Sequence, residues 1–321
     1  MPVAMRAGQV LMPVVDQGGL MAVADLAGRG LVAGTVVVEP VDDGLGDAIA
    51  SVQAVSATGP LVMAVDEEGG TVQRLDALLG DMSSAWHMAG HPIDDVRVAA
   101  RERAEAMAGL GFTMNLAPVV DVGAGPGIGS RSFSDDPLLV AVFGSAVAHG
   151  VLDVGLTPVA KHFPGHGRAS ADSHRQLPVT PPLEDLMEVD LVPWRYLPPG
   201  AAVMVGHLSV PGLTDGVSTS LSPEAVDGLL RRDLGFDGLV ISDDLAMGAI
   251  AGGMDIPQAA VLSLRAGVDL LIVGSADGVA AVAWELVTAL EDGRLSPGRL
   301  NEAVGRVLEV RGVDPCGFEW E

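Results

Sequence analysis

Eight short apolar runs recur along the chain, and each one ends at or beside a polar or charged residue. They lie at residues 9–16, 31–39, 60–70, 112–122, 156–162, 201–207, 238–244 and 268–275. Many of their residues are β-branched, and near-continuous apolar runs of this length are typical of parallel strands buried on both faces. The pattern therefore predicts eight strands of a parallel sheet.

Helical segments lie between these runs, and four of them carry recognisable start and stop signals. They span residues 94–111, 222–235, 255–267 and 296–312. In the second segment a serine stands at the N-cap, a proline follows in the first turn, and a glycine marks the end. Strands that alternate with helices predict the α/β class, and eight repeats favour a single (β/α)8 TIM barrel over an open sheet. We expect one domain over residues 1–321, with long loops at 80–95 and 163–200.

The composition supports a large core and narrows the classes of partner. Of the 321 residues, 49% are hydrophobic, which is enough for a sizeable buried core. No uniformly apolar run reaches about eighteen residues, so we expect no membrane span. The formal net charge of −24 argues against nucleic acid as a partner, because the phosphate backbone would repel the chain. The single cysteine, Cys316, excludes an internal disulfide framework and a zinc cluster built on cysteines.

Two further kinds of signal are missing from the sequence. Residues 1–17 contain one arginine and an apolar stretch too short for the core of a secretory signal, so we expect a cytoplasmic protein. No G-x-G-x-x-G sequence follows the first apolar run, and no Walker A sequence occurs anywhere. We therefore expect no nucleotide cofactor.

Polar side chains follow the predicted strands where an active site would lie. In a (β/α)8 barrel the carboxyl ends of the strands converge on one face, and catalytic residues are drawn from those ends. The residues in these positions are Asp16, Glu39, Asp66, Asp121, Lys161, His162, His207, Asp243 and Asp244. Carboxylates and imidazoles that meet at one mouth are what acid–base catalysis needs. Taken singly, some of them would serve equally well as helix caps or loop contacts.

One segment, residues 161–174, reads KHFPGHGRASADSH and holds three of the seven histidines. Two interpretations are open. The histidines and Asp172 supply donors that zinc or iron would accept, although their spacing matches no compact metal motif. Alternatively, Asp172 forms a dyad with His174, because a carboxylate on one ring nitrogen leaves the other nitrogen to transfer a proton near neutral pH. The glycines and alanines predict a mobile loop, and the nucleophile would come from elsewhere.

This segment resembles a signature of glycoside hydrolase family 3, in its bacterial β-N-acetylglucosaminidase branch. Other stretches are similar to that family in the same order along the chain. They are AVDEEGGTVQRL at 64–75, NLAPVVDV at 115–122, GSRSFSDDP at 129–137 and GFDGLVISDDLAMGAI at 235–250. The resemblance covers almost the whole chain and implies a catalytic barrel of the family's N-terminal type, in agreement with the eight predicted strands.

The resemblance also implies roles for individual residues. Asp243, the first aspartate of ISDDLAM, matches the family's nucleophile, and its neighbour Asp244 is the alternative. His174 matches the acid/base residue of this branch, with Asp172 as its partner. The residues implied to contact sugar hydroxyls are Asp66, Arg74, Arg131, Lys161 and His162. No metal ion and no cofactor belong to the expected site.

Several other polar residues are assigned less closely. We expect His166 to brace the glycine-rich loop, while His207 is open between the floor of the pocket and the core. Arg168 stands where many family members carry an acidic residue, so the resemblance does not define its contacts. One tyrosine and four tryptophans are too few for a long cleft with several stacking platforms, and they suit a short exo-acting pocket better.

The resemblance implies a retaining exo-β-N-acetylglucosaminidase that acts on peptidoglycan fragments or chitooligosaccharides through a covalent glycosyl-enzyme. Two alternatives share this chemistry: a phosphorylase, in which phosphate replaces water, and a broad β-glucosidase. The chain length and the histidine dyad weigh against the glucosidase. A sugar-binding protein without catalysis is the alternative from another class, but it would not need Asp243, Asp172 and His174 intact. The expected partner is a small carbohydrate, and the sequence does not define the oligomeric state.

Overall fold

The computed structural model describes residues 1–251 and 253–317, and each of the eight apolar runs contains a strand, as predicted. The strands are β1 (Leu11–Met12), β2 (Val14–Val15), β3 (Gly34–Val37), β4 (Val62–Val65), β5 (Glu67–Gly69), β6 (Val72–Gln73), β7 (Met114–Asn115), β8 (Thr157–Phe163), β9 (Ala202–Val205), β10 (Val240–Ser242) and β11 (Leu271–Ile272). The first run holds both β1 and β2, and the third continues past β4 into β5.

Parallel pairing joins the strands in chain order. The largest sheet has the order β2–β3–β4–β7–β8–β9–β10, and all its pairs are parallel. β1 pairs in parallel with β11, and Ile241 of β10 bridges Leu270, just before β11. β5 and β6 form a separate antiparallel hairpin. The chain is therefore an α/β protein built on a curled parallel sheet.

Helices connect successive strands. The α-helices are α1 (Val3–Gly8), α2 (Leu20–Gly28), α3 (Leu45–Ala54), α4 (Asp76–Leu79), α5 (Ala85–Met88), α6 (Ile93–Gly109), α7 (Pro137–Leu152), α8 (Leu183–Glu188), α9 (Gly248–Ala251), α10 (Ile256–Ala266), α11 (Val279–Glu291) and α12 (Pro297–Val310). The four helices predicted from start and stop signals are confirmed, and the second of them, Glu224–Asp233, is wound as a π-helix. Asp255 and Ser296 cap α10 and α12 through their side chains. No helix in these described ranges is long and apolar enough to cross a bilayer.

Two segments expected to be long loops contain short helices. Residues 80–95 include α5, and residues 163–200 include α8 and the 3-10 turn Pro193–Tyr196. The prediction of long loops did not include these short elements, because elements of one or two turns are too short to show a periodic pattern. Buried apolar side chains hold them in place, such as Trp194, whose ring centroid lies 5.2 Å from that of Phe163.

Side chains alternate between two apolar layers along each strand. In β4, Val62 and Ala64 belong to a cluster inside the curled sheet, whereas Met63 and Val65 pack outward against the helices. Both faces are apolar, which explains the near-continuous hydrophobic runs of the sequence. Polar side chains are thereby confined to the ends of the strands.

A buried carboxylate just before β11 anchors the C-terminal helix. Asp269 is fully buried, and it accepts hydrogen bonds from Arg231 at 2.7 Å and from Arg299 at 2.6 Å. Arg306 approaches the same carboxylate at 3.2 Å. Removing the carboxylate leaves three largely buried guanidinium groups without their shared counter-charge. We expect Asp269→Ala to lower the free energy of unfolding by about 3–5 kcal/mol, measured by urea denaturation.

The matched control is Asp292→Ala. Asp292 pairs with Arg294, but both side chains are more than two-fifths exposed. Water and ions screen such a pair, so the urea midpoint should hardly move. An equally small effect of Asp269→Ala would contradict the anchoring role.

Candidate active site

The hairpin β5–β6 presents the first polar residues of the site. The hairpin directly follows β4, so Asp66, Glu67 and Glu68 lie one after another just beyond the end of that strand. Glu67 is buried and accepts hydrogen bonds from Arg103 Nε and from the backbone N–H of Arg74, both at 2.9 Å. Burial raises the pKa of Glu67, and Arg103 opposes the rise. This anchor fixes the hairpin, while Asp66 and Glu68 line a cavity beside it.

Lys161, in β8, lies at the centre of a buried charge cluster. Its Nζ is 2.5 Å from Asp66 Oδ1 and 2.6 Å from Glu68 Oε1. Arg131 donates two hydrogen bonds of 2.8 Å to Glu68. Burial would lower the pKa of Lys161, but Asp66 and Glu68 raise it above its usual value. Burial alone would raise the pKa of Glu68, but Lys161 and Arg131 lower it to about 2. Lys161 and Glu68 are therefore both ionised at neutral pH.

Asp121 is the centre of a second set of buried hydrogen bonds, which lies beside this cluster. The fully buried carboxylate lies 2.8 Å from His162 Nδ1 and accepts the backbone N–H of His166 at 2.6 Å. Burial raises the pKa of Asp121, but His162 and His166 lower it by more than burial raises it. The pKa of Asp121 therefore lies below its usual value. His162 Nε2 is 3.5 Å from Arg131. His166 braces its loop through the backbone, as predicted, and its ring also lines the cavity.

Asp243, directly after β10, lines the same cavity. Its Oδ1 accepts the backbone N–H of Asp244 at 2.9 Å. Burial raises the pKa of Asp243, but His207, His162, this N–H group and Lys161 together lower it below its usual value. The carboxyl of Asp243 is therefore ionised at neutral pH and faces the space where a ligand would lie.

Asp244 has different surroundings. Its Oδ1 accepts the backbone N–H groups of Ala246 at 3.0 Å and Gly274 at 2.9 Å, and burial raises the pKa of its carboxyl. The Asp244 carbonyl oxygen is 2.9 Å from His207 Nε2, and Ser220 Oγ is 2.8 Å from the other ring nitrogen. His207 is therefore a satisfied core histidine, which resolves the alternative left open by the sequence.

Asp172 and His174 form the dyad that the sequence predicted. His174 Nδ1 lies 2.8 Å from Asp172 Oδ1, and the backbone N–H of His174 donates to the same oxygen at 3.0 Å. That N–H group, with the imidazole, lowers the pKa of Asp172. The ionised carboxylate fixes Nδ1, and Nε2 is the nitrogen left for proton transfer.

Most of these groups open onto one cavity of about 220 Å³, whereas Glu67, Asp121 and His207 lie behind its lining. All eight residues predicted for the site line it: Asp66, Arg74, Arg131, Lys161, His162, Asp172, His174 and Asp243. The guanidinium of Arg74 pairs with Glu39 at 3.0 Å at the rim. Asp16, another residue at a strand end, instead accepts the N–H of Gly19 at 2.8 Å in the turn that precedes α2. The strand ends therefore converge as expected, although not every polar residue among them faces the cavity.

The donors proposed for a metal are used in other ways. His162 binds Asp121, and Asp172 pairs with His174. Across residues 1–251 and 253–317, no group of three or more histidine, cysteine, aspartate or glutamate side chains is arranged to hold an ion. The segment 161–174 thus contributes His162 to the buried pair with Asp121, and its other end forms the Asp172–His174 dyad.

Glu68 is the important residue that the sequence analysis missed. It bridges Lys161 and Arg131 and lines the cavity. A signal was present, because Asp66 and Glu68 are two residues apart in an extended segment, and alternate side chains of such a segment face the same side.

Residues 25–310 match the family model described as the glycosyl hydrolase family 3 N-terminal domain. The chain belongs to this family. The beta-hexosaminidase LpqI of Mycobacterium tuberculosis is 44% identical over 284 residues, which cover 84% of this chain and 73% of LpqI. A solved structure of LpqI superposes with a TM-score of 0.93 at 39% identity, covering 98% of this chain and 95% of that one.

Two other solved structures of this glycoside hydrolase family are similar. A family 3 glycosyl hydrolase of Mycobacterium smegmatis has a TM-score of 0.92 at 40% identity, covering 97% of each chain. A family 3 β-N-acetylglucosaminidase of a Paenibacillus species has a TM-score of 0.92 at 30% identity, covering 100% of this chain and 64% of that one. Family membership, predicted from the motifs, is confirmed, and the chain is a glycoside hydrolase.

Proposed function

We propose that this glycoside hydrolase is a retaining exo-β-N-acetylglucosaminidase. The observation that carries the proposal is the opening of Asp243 and the Asp172–His174 dyad onto one cavity. Retaining glycosidases usually hold two carboxyl groups about 5–5.5 Å apart, one as nucleophile and one as acid/base. Here the imidazole of His174 takes the place of the second carboxyl.

In the first step Asp243 acts as the nucleophile. An oxygen of its carboxylate forms a bond to the anomeric carbon while the bond to the leaving oxygen breaks. The protonated His174 gives its Nε2 proton to that oxygen, so the aglycone departs as a neutral alcohol. The neighbouring Lys161 and the N–H of Asp244 favour the ionised form of Asp243 that this attack requires.

In the second step the now neutral His174 takes a proton from water. The hydroxyl oxygen attacks the anomeric carbon, the bond to Asp243 breaks, and the carboxylate is regenerated. Two inversions at the same carbon give retention of configuration. Asp172 holds the imidazole in one orientation through both steps.

We assign sugar binding to Asp66, Arg74, Arg131, Lys161 and His162. Arg131 uses part of its five-donor fork on Glu68 and the Gly127 carbonyl, which leaves N–H groups for a hydroxyl. The small cavity suits one terminal sugar, which supports exo action. Peptidoglycan fragments and chitooligosaccharides are the proposed substrates, and the beta-hexosaminidase and β-N-acetylglucosaminidase names of the relatives support this class.

Two structural proposals accompany the function. We propose that the curled sheet closes into a (β/α)8 barrel, supported by the β1–β11 pair and the bridge between Ile241 and Leu270. We also propose that residues 1–321 form one domain, supported by an apolar cluster that includes both Met1 and Leu308. A cytoplasmic location, which was expected from the sequence, is a further proposal.

A phosphorylase is the second candidate function. It is favoured by one observation, the largely exposed imidazole in the place of a second carboxylate. An imidazole repels phosphate less than a carboxylate does, so phosphate would be able to replace water in the second step. The product would then be GlcNAc-1-phosphate.

The test is release of 4-nitrophenol from its β-N-acetylglucosaminide, with and without phosphate, beside the corresponding β-glucoside. GlcNAc-specific turnover that does not depend on phosphate supports the hydrolase. Phosphate-dependent turnover with GlcNAc-1-phosphate as product supports the phosphorylase. Equal rates on the glucoside and the N-acetylglucosaminide would support a broad β-glucosidase. The absence of turnover on both glycosides and on muropeptides would support a sugar-binding protein without catalysis.

The lowered pKa of Asp243 gives a prediction for the pH profile. A carboxyl with a depressed pKa stays ionised as the pH falls and is protonated only below its usual range. For a 2,4-dinitrophenyl glycoside, which needs little acid assistance, we expect the acid-side midpoint of kcat/KM to lie below about pH 4. A midpoint at or above about pH 5 would contradict this electrostatic environment, provided that activity returns in full at neutral pH.

A further inference from the structure

The proposed acid/base residue stands on a loop, and its imidazole has few contacts of its own. The His174 side chain is 67% exposed, and within the described part of the chain its imidazole hydrogen-bonds only to Asp172. Asp172 belongs to the same loop. How far the imidazole lies from Asp243 therefore depends on how the backbone of this loop is held.

Ser170 and Val179 close this loop at its base. The N–H of Ser170 donates to the Val179 carbonyl at 2.9 Å, and the N–H of Val179 donates to Ser170 Oγ at 2.9 Å. Residues 170–179 therefore form a closed unit next to the segment before Ser170. This unit also touches two other parts of the chain, since the Ser173 carbonyl accepts the N–H of Ala249 at 3.2 Å and the Pro178 carbonyl accepts the N–H of Ser209 at 2.8 Å. The segment before Ser170 is therefore one of three attachments that set the position of the dyad.

The preceding segment, residues 165–169, is packed closely against its neighbours. A Cβ on Gly167 would lie 2.1 Å from the carbonyl oxygen of Val122. Gly165 has a φ of +145°, and a Cβ there would lie 2.6 Å from Cβ of Asp190. These glycines, from which the sequence predicted mobility, permit close approach to other parts of the chain.

Arg168 joins this segment to the chain that follows α8. Its Nε donates to Asp190 Oδ2 at 3.0 Å, and its Nη2 donates to the same oxygen and to the Asp185 carbonyl at 3.2 Å. The Asp190 side chain is fully buried, and Arg168 is the cation paired with it among the described residues. Burial raises the pKa of Asp190, and Arg168 opposes this rise. A buried carboxylate is costly without its cation, so the pair holds the segment in one position.

We propose that the Arg168–Asp190 ion pair positions the acid/base loop for proton transfer. Arg168 does not line the cavity and acts through Asp172 and His174, so it is a positioning residue. The inference rests on the proposed role of His174 as acid/base. Asp243 is held separately, at the end of β10, and its attack does not depend on this ion pair.

The experiment compares Arg168→Met with the wild type on two substrates of different leaving-group ability. Diacetylchitobiose needs protonation of its leaving oxygen, whereas the 2,4-dinitrophenyl glycoside does not. A displaced imidazole should lower kcat/KM about tenfold or more on the disaccharide and less than about threefold on the aryl glycoside. Arg168→Lys keeps the charge and should recover part of the loss.

Two variants guard against effects on folding. Arg168→Met/Asp190→Asn also removes the buried charge, so it keeps the fold while the ion pair stays broken, and it should show the same selectivity. Arg97→Met is the matched control, because it removes the exposed Arg97–Asp153 pair between α6 and the end of α7. We expect both substrates to stay within about twofold of the wild type in this control.

The outcomes are distinct. Selective loss on the disaccharide in both the single and the double variant supports the proposal. Equal losses on the two substrates, or no loss, overturn it. If His174→Ala shows no leaving-group dependence in the same assay, the proposed acid role fails, and the positioning role of Arg168 fails with it.

Discussion

Asp243→Asn is expected to lower kcat for β-N-acetylglucosaminides by about four orders of magnitude or more. The amide has nearly the same shape as the carboxylate, but it carries no negative charge and cannot form the glycosyl ester. The other residues that line the cavity are unchanged, so the variant should still bind N-acetylglucosamine. Steady-state kinetics and calorimetric titration with the sugar measure the two properties separately.

Asp244→Asn is the matched control for this variant. The side-chain oxygen of asparagine can still accept the N–H groups that Asp244 accepts from Ala246 and Gly274. We therefore expect a loss of less than about tenfold. If the larger loss fell on Asp244 instead, the nucleophile would have been assigned to the wrong aspartate.

His174→Ala should slow substrates in proportion to the basicity of their leaving groups. Removal of a general acid costs about 10²–10⁴ in rate where the leaving oxygen must be protonated, as in diacetylchitobiose. For the 2,4-dinitrophenyl glycoside, kcat/KM should change little, because the phenolate departs without a proton. Its kcat should fall, since His174 also activates water in the second step.

Azide provides the diagnostic control for His174→Ala. This anion attacks the glycosyl-enzyme without a general base, so it should restore kcat of the variant and yield the β-glycosyl azide. The wild type, which already has its base, should gain little from azide. Equal losses on both substrates without rescue would remove His174 from the acid/base role.

The elements of the fold were predictable where the sequence carries a hydrophobic pattern long enough to recognise. Buried parallel strands carry apolar residues on both faces, which made the eight runs visible in the sequence. The short helices α5 and α8 gave no such signal. Their positions depend on tertiary contacts, such as the burial of Met88 in α5 and of Leu186 in α8, which a local pattern does not contain.

The residues of the site were predictable, but apart from the Asp172–His174 pair their partners were not. Strand ends and motifs identified Lys161 and Asp121. The contacts that set their charge states join residues far apart in the chain, such as Lys161 with Asp66. The ion pair between Arg168 and Asp190 is a similar case, because only the folded backbone brings the two together.

Trapping the covalent intermediate tests the retaining mechanism most directly. A 5-fluoro derivative of N-acetylglucosaminyl fluoride slows both steps, but its good leaving group lets the first step proceed, so a retaining enzyme accumulates as its glycosyl ester. Intact-mass measurement followed by peptide mapping locates the label. With Asp243 as nucleophile, we expect one sugar per chain, attached to Asp243. Turnover without any adduct, or a label on another residue, would contradict this expectation.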